Sequence, residues 1–87
     1  MDFEIVEVER DNIIEYFSVT IEGFDSFNKA DKFMLCLTNK LTELNMKFYQ
    51  ELSSDSSSDK LRYFANYMIE AKNVSLLGVK SLIEGVL

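Results

Sequence analysis

Two long segments of the chain repeat apolar residues at the spacing of an α-helix. In the first, the apolar side chains fall within about 60° of one line along the helix surface, if each residue turns by about 100° around the helix axis. They are Ala30, Phe33, Met34, Leu37, Leu41, Leu44, Phe48 and Leu52. Asn28 precedes them as an N-cap, and Asp31 follows three residues later. This pattern predicts a first helix over residues 28–52.

The second segment, residues 59–86, keeps one helical phase over its whole length. Its apolar positions are Leu61, Phe64, Ala65, Met68, Ala71, Leu76, Val79, Leu82, Ile83 and Val86. Ser58 or Asp59 can cap its start. Asn73 and Gly78 weaken its middle, so a kink, a break or two nearly collinear helices remain open. The serine- and aspartate-rich residues 53–58 between the segments predict a short turn, and hence an antiparallel helical hairpin.

The N-terminal segment has a different pattern. Apolar and polar residues alternate in the order Phe17, Ser18, Val19, Thr20, Ile21, Glu22, which indicates a half-buried strand. Residues 3–8 have strand-like composition, but Ile5 and Val6 are adjacent, which predicts a bulge or burial on both faces. Residues 9–12, with the sequence ERDN, supply a turn between the two strands.

These patterns predict an α+β fold in a single domain covering residues 1–87. A β-hairpin over residues 1–25 would pack on an antiparallel hairpin of two long amphipathic helices. The alternative is an all-α, three-helix fold, because four residues also fit a helical stripe over 2–17. They are Phe3, Val6, Ile13 and Phe17.

The net charge comes from the N-terminal segment. Residues 1–25 hold eight acids and one base, a net charge of −7, and the remaining residues hold eight bases and seven acids. The acids could protect an exposed sheet edge from aggregation, or they could bind a basic surface of another protein. The predicted partner-binding acids are Glu7, Glu9, Asp11, Glu15 and Glu22.

A second candidate contact surface is apolar. In the predicted second helix, Tyr63, Tyr67, Val74 and Leu77 form a stripe away from the core, and tyrosine with aliphatic neighbours is typical of interfaces. Small domains also often complete their burial by pairing. We therefore expect this stripe to contact a partner or to form a homodimer.

Several kinds of chemistry have no support in the sequence. Histidine is absent, which removes the usual general base and a common metal ligand. The single cysteine, Cys36, has no thiol partner or nearby base. No phosphate-binding glycine loop is present, and the serine–aspartate segment does not match a calcium loop. We expect no cofactor, no metal site and no enzymatic activity.

The sequence is most typical of a small protein–protein interaction module that acts as a regulator or inhibitor of a target protein with a basic surface. The alternative is a structural homodimer with a four-helix core. A nucleic-acid mimic, of the kind that phages and mobile elements encode, and a carboxylate or metal enzyme are less favoured. A pI near 4.5 argues against direct nucleic-acid binding. The longest apolar run, residues 33–37, is too short for a membrane span, and we expect a cytoplasmic location.

Overall fold

The computed structural model describes residues 1–56 and 61–87 and has two layers, a β-sheet and a pair of helices. The elements in chain order are β1 (Asp2–Arg10), β2 (Ile13–Phe24), α1 (Phe27–Glu43), β3 (Phe48–Asp55), β4 (Arg62–Glu70) and α2 (Leu76–Val86). Within these described residues the sheet has four antiparallel strands in the order β1-β2-β4-β3. The predicted pair of long helices and the all-α alternative are therefore both wrong.

The chain consists of two ββα units in succession. The first contains β1, β2 and α1, and the second contains β3, β4 and α2. The units join where β2 pairs with β4, which places Val19 opposite Tyr67. The strand order is symmetric about this central pair, and α1 contacts α2 above it.

The core lies between one face of the sheet and the helices. Side chains from alternate positions of β2 and β4 meet the apolar stripe of α1 and two residues of α2. The buried residues are Phe17, Val19, Ile21, Phe24, Ala30, Phe33, Met34, Leu37, Leu41, Ala65, Tyr67, Ile69, Val79 and Ile83. Phe3 and Ile5 of β1 and Phe48 and Leu52 of β3 are half-buried beside them.

The first helix begins before the predicted cap. Ser26 is the N-cap, and its hydroxyl oxygen accepts a hydrogen bond from the Lys29 backbone N–H at 3.2 Å. Asn28 therefore lies inside α1. Both residues are good N-caps, and Ser26 places Phe27 at the start of the helix, where its ring contacts Tyr63 with centroids 6.3 Å apart.

The first helix also ends earlier than predicted, at Glu43 instead of residue 52. Asn45 takes a left-handed conformation with φ 55°, and its N–H donates to the Thr42 carbonyl at 3.0 Å. The next N–H, of Met46, donates to the Leu41 carbonyl at 3.0 Å. This pair of bonds is a Schellman motif, which satisfies the last carbonyls and turns the chain out of the helix.

The predicted second helix, 59–86, is wrong in its first half. Residues 62–70 form β4, which pairs with β2 on one side and β3 on the other. A left-handed Asn73, with φ 62°, then turns the chain. Ser75 caps α2 by accepting a hydrogen bond from the Gly78 N–H at 3.1 Å.

The serine–aspartate segment, residues 53–58, begins as a strand and not as the predicted turn. Residues 53–55 belong to β3, so the strand extends into the segment expected to be a turn. Residues 57–60 lie outside the described residues, and with them lie the end of that turn and the caps expected at Ser58 and Asp59.

The N-terminal segment does form a β-hairpin. Asp11 and Asn12 have φ of 54° and 65°, and Arg10 pairs with Ile13 across them. Two successive positive φ angles in a two-residue loop are the signature of a type I′ turn. The register shifts between Val8 and Glu9 instead of at the predicted position, Ile5–Val6.

Gly23 occupies a second register shift, between Ile21 and Phe24, with φ 101°. A Cβ added there would lie 3.3 Å from the Met1 Cα. We expect Gly23→Ala to lower the free energy of unfolding by about 1–2 kcal/mol, because this φ is strained for an L side chain.

The matched control is Gly85→Ala on α2, where an added Cβ meets no described atom within 4 Å. Alanine is the better helix former, so this change should be neutral or stabilising by up to about 1 kcal/mol. Urea unfolding of the two variants measures both effects. Equal destabilisation would contradict the assigned conformation at Gly23.

Candidate functional site

The two faces of the sheet have different surroundings. The helices cover the face that carries Val19, Ile21 and Ile69, and these side chains are at most 1% exposed. The opposite face, which we name the open face, carries the alternate residues of each strand. No described element packs on this open face, so its side chains are available to a partner.

The centre of the open face is partly apolar. Strand register places Val6, Ser18, Met68 and Tyr49 in one row across the sheet. Val6 is 50% exposed and Tyr49 is 72% exposed. We name as the apolar strip six residues of this face: Val6, Val8, Tyr16, Tyr49, Phe64 and Met68. Half-exposed apolar side chains that share one face are typical of a contact surface.

Carboxylates lie near this strip, most of them toward the end of the face that carries Asp2, with Glu70 beside Tyr16 toward the other end. Register places Glu4 on β1 and Glu51 on β3 at the two ends of a second row, with Thr20 and Asn66 between them. Asn66 Nδ2 donates to the Glu51 carbonyl at 3.2 Å and so fixes part of the row. We name as the acidic rim five of the carboxylates at the edges and ends of the open face: Asp2, Glu4, Glu22, Glu51 and Glu70.

The open face carries few bases to offset the rim. By strand alternation Arg10 and Arg62 lie on it, and Arg62 stands opposite Asp55 in the pairing of β3 with β4. Most lysines of the described residues lie elsewhere, for example Lys32 and Lys40 on α1. The sheet side of the molecule is therefore its acidic side.

The structure does not bring the predicted acidic residues together. Glu22 belongs to the acidic rim, whereas Glu7 and Glu9 point to the helix side of β1, where they are exposed. Asp11 lies in the hairpin turn, and Glu15 lies at the register shift of β2. Asp2 is the residue opposite Glu22. Glu9 is seven positions from Asp2 on β1, which corresponds to about 23 Å along a strand.

The predicted tyrosine stripe is not a continuous surface. Tyr63 and Tyr67 lie on β4 and point to the helix side, and Tyr67 is only 2% exposed. Val74 lies in the loop before α2 and packs against the core. Leu77, on α2, is 74% exposed. Tyr67 therefore has no surface to offer a partner, and partner contacts of the other three residues stay a prediction.

Tyr67 instead joins the helix layer to the sheet. Its hydroxyl donates to the Met34 carbonyl of α1 at 2.9 Å. The Thr38 hydroxyl lies 2.9 Å from the Tyr67 hydroxyl oxygen, and the side-chain oxygen of Gln50 on β3 lies 3.2 Å from that Tyr67 oxygen. Burial raises the pKa of Tyr67, and the hydrogen bond with Thr38 opposes part of that rise.

We expect Tyr67→Phe to lower the free energy of unfolding by about 1 kcal/mol, because the Met34 carbonyl and the Thr38 hydroxyl lose their hydrogen bonds to the Tyr67 hydroxyl. The raised pKa also predicts that the wild type loses stability at alkaline pH. The contribution of the Tyr67 hydroxyl to the free energy of unfolding is complete below the unfolded-state pKa of about 10. It is lost as pH rises through the higher folded-state pKa.

Chemical denaturation at pH 7 and at rising alkaline pH tests this prediction. Tyr49→Phe is the matched control, because Tyr49 is exposed on the open face and its hydroxyl should contribute little to stability. The wild type and the control should lose stability above pH 10 by more than Tyr67→Phe does. Identical alkaline profiles for all three proteins would contradict the assigned role of the hydroxyl.

Three further findings concern other kinds of function. No group of three His, Cys, Asp or Glu side chains in residues 1–56 and 61–87 is arranged to hold a metal ion. Cys36 is an exposed free thiol on α1. In the same part of the chain, neither helix is long and apolar enough to cross a membrane. The expectations of no cofactor and no catalysis stay predictions.

Strand register was the signal that sequence reasoning missed. Of the acidic rim, only Glu22 was among the predicted binding residues, and of the apolar strip none was. The helical pattern places Glu51 and Glu70 in helices, so it does not indicate that they share a sheet face with the N-terminal acids. Comparison of the chain with family models, with curated proteins and with solved structures finds no match.

Proposed function

We propose that this protein is a non-catalytic binding module and that its open face docks on a partner protein. The partner surface would have an apolar centre flanked by lysine or arginine side chains. The observation that carries this proposal is the arrangement of the open face, where an exposed apolar strip and the carboxylates of the acidic rim share one surface. Apolar contact supplies affinity at the centre of such interfaces, and charge supplies association rate and specificity.

The size of the open face limits the kind of complex. Four strands spaced about 4.8 Å apart and nine residues long at about 3.3 Å each give a face of about 600 Å². Stable complexes commonly bury about 800 Å² on each partner. The open face alone therefore suits a transient regulatory contact, unless neighbouring parts of the module also take part.

Charge argues against a second copy of the chain as the occupant of the open face. Two such faces would bring two acidic rims together, and like charges directly opposite one another are unfavourable. A four-helix core is also not supported, because it requires two long helices that residues 1–56 and 61–87 do not form. Homodimerisation through some other surface stays a prediction.

A regulator or an inhibitor needs only such a docking surface. Occupying a basic surface of a target blocks whatever that surface would otherwise bind, and no reaction is required of the module. The acidic rim makes basic targets the preferred class, and the salt dependence of binding becomes a direct measure of its contribution.

The first experiment identifies the partner and the face together. A photoreactive amino acid replaces Tyr49 on the open face in one variant and Leu35 on the outer side of α1 in the other. Both positions are well exposed, at 72% and 61%. In cells of the native host, we expect the Tyr49 variant to crosslink to a partner through a basic segment. Crosslinks from the Leu35 variant alone, or only between copies of this chain, would overturn the proposal.

The second experiment measures the charge contribution with the purified partner. We expect the triple variant Glu22→Gln, Glu51→Gln, Glu70→Gln to bind about tenfold more weakly at low salt, because three rim contacts of about 0.5 kcal/mol each are lost. It should also show a smaller salt dependence. The control Asp31→Asn, Glu43→Gln, Glu84→Gln changes the net charge equally on the helix side. Equal weakening of the two triple variants, measured by calorimetry, would refute the open face as the docking site.

A further inference from the structure

The outer edge of β1 offers unpaired backbone groups. β1 is nine residues long and lies at the end of the strand order, so it pairs with β2 alone among the described residues. Its register with β2 is regular from Asp2 to Val8. Every second residue of an edge strand directs its N–H and C=O away from the sheet, where another strand can pair with them.

Common structural devices that block an edge are missing from most of β1. Proline is absent from the chain, and the one register shift of β1 lies near its end, after Val8. The remaining device is charge. Asp2 and Glu4 lie on the open side of the strand, and Glu7 and Glu9 lie on the helix side, where they are exposed.

Charge on both sides of an edge strand discriminates between incoming strands. With Arg10, β1 has a net charge of −3, so a second copy of β1 would meet the same charge. A strand with lysine or arginine at alternate positions would instead present all its bases on one side of the sheet. On the open side these bases would lie beside Asp2 and Glu4, and opposite charges across strands are favourable. The same acids that prevent self-pairing therefore favour a basic strand.

We propose that β1 accepts an extended basic segment of the partner as a fifth strand of the sheet. The inference rests on the proposed function, since it specifies how the partner engages the module. An added strand continues the open face beyond β1, and so enlarges a contact area that is small by itself. Main-chain hydrogen bonds hold the segment, and its alternating bases meet Asp2 and Glu4 on the open side of β1.

The test uses a synthetic peptide that alternates lysine and threonine, together with the unmodified protein. Residue-resolved amide exchange is followed by NMR at low salt. We expect saturating peptide to slow exchange at alternate amides of β1 at least tenfold. The matching glutamate–threonine peptide should cause no change, because its charges repel β1.

Two N-methylated peptides make the result specific to a strand edge. One carries methyl groups on the amides of odd positions and the other on the amides of even positions, so each loses the donors of one edge. We expect one series to lose binding at least tenfold and the other to bind as the unmodified peptide does. Equal affinities for both series would overturn strand addition.

The remaining outcomes separate this inference from the proposed function. Absence of peptide binding, or binding that shifts resonances of the open face without protecting β1, overturns strand addition. Docking through the open face is then judged by the crosslinking from position 49, which does not involve β1. Protection of β1 that rises with protein concentration in the absence of peptide would identify a second copy as the occupant, and would overturn the inference as well.

Discussion

Replacing Ile69 by alanine is expected to lower the free energy of unfolding by about 3 kcal/mol, as large-to-small changes in a packed core do. Ile69 is fully buried on β4, between Phe17 of β2 and Phe48 of β3 in the sheet register. β4 itself is paired on both sides, so its backbone is held in place and does not close the space left by the removed side chain. For a domain whose total stability is of the order of 5–10 kcal/mol, this is a large fraction.

The matched control is the adjacent residue. Met68 lies on the open face and is half-buried, so Met68→Ala should cost about 1 kcal/mol or less. The helical phase inferred from the sequence makes the opposite prediction, because it places Met68 in the core and leaves Ile69 out. Urea unfolding of both variants distinguishes the two, and a larger loss for Met68→Ala would contradict the assigned face of β4.

The second large effect concerns the end of α1. We expect Leu41→Ala to cost about 3 kcal/mol, because Leu41 is fully buried and lies in the last turn of the helix. Leu44 has the same side chain three residues later but is 50% exposed at the helix C-cap. Leu44→Ala should therefore cost less than about 1 kcal/mol.

Calorimetric melting of the two leucine variants makes this comparison. A helix continuing to residue 52 would bury Leu41 and Leu44 alike, and the two substitutions would then have similar effects. A similar fall in melting temperature for both variants would therefore contradict the Schellman motif at Asn45. A larger fall for Leu41→Ala alone agrees with it.

The sequence was informative where one periodicity dominated. The alternation around Val19 identified β2, and the first five residues of the helical stripe, from Ala30 to Leu41, are all buried. After Leu41 the same stripe happens to continue through Leu44, Phe48 and Leu52. Two of these three, Phe48 and Leu52, are alternate residues of β3, where the spacing of four residues fits both a helix and one side of a strand.

β4 was missed because it is apolar on both sides. Its helix-side residues include Tyr63, Ala65 and Ile69, and its open-face residues include Phe64 and Met68. Period-two alternation disappears in such a strand, and a helical stripe can be drawn through it. Its aromatic and β-branched content was a usable signal. So were Asn45 and Asn73, because asparagine readily adopts the left-handed conformation that ends regular elements.

The candidate site was less predictable than the fold. Composition located the excess charge in residues 1–25, but it did not show that Glu7 and Glu22 point to opposite sides of the sheet. That distinction depends on register and on the turn at Asp11–Asn12, and a one-residue change of register exchanges the faces. The contributions of Glu51 and Glu70 depended in addition on long-range pairing, which no local pattern encodes.

The succession of two ββα units has a consequence for how the chain assembles. Neither unit alone can cover both its strands and its helix, since the core residues of β2 lie against those of β4 and α1 lies beside α2. We therefore expect folding to resemble the association of two half-domains, which the four-residue link 44–47 holds at high effective concentration. Every copy of the chain carries the same complementary surfaces. At high protein concentration the first half of one molecule can therefore pair with the second half of another through the same contacts, in competition with pairing inside one molecule.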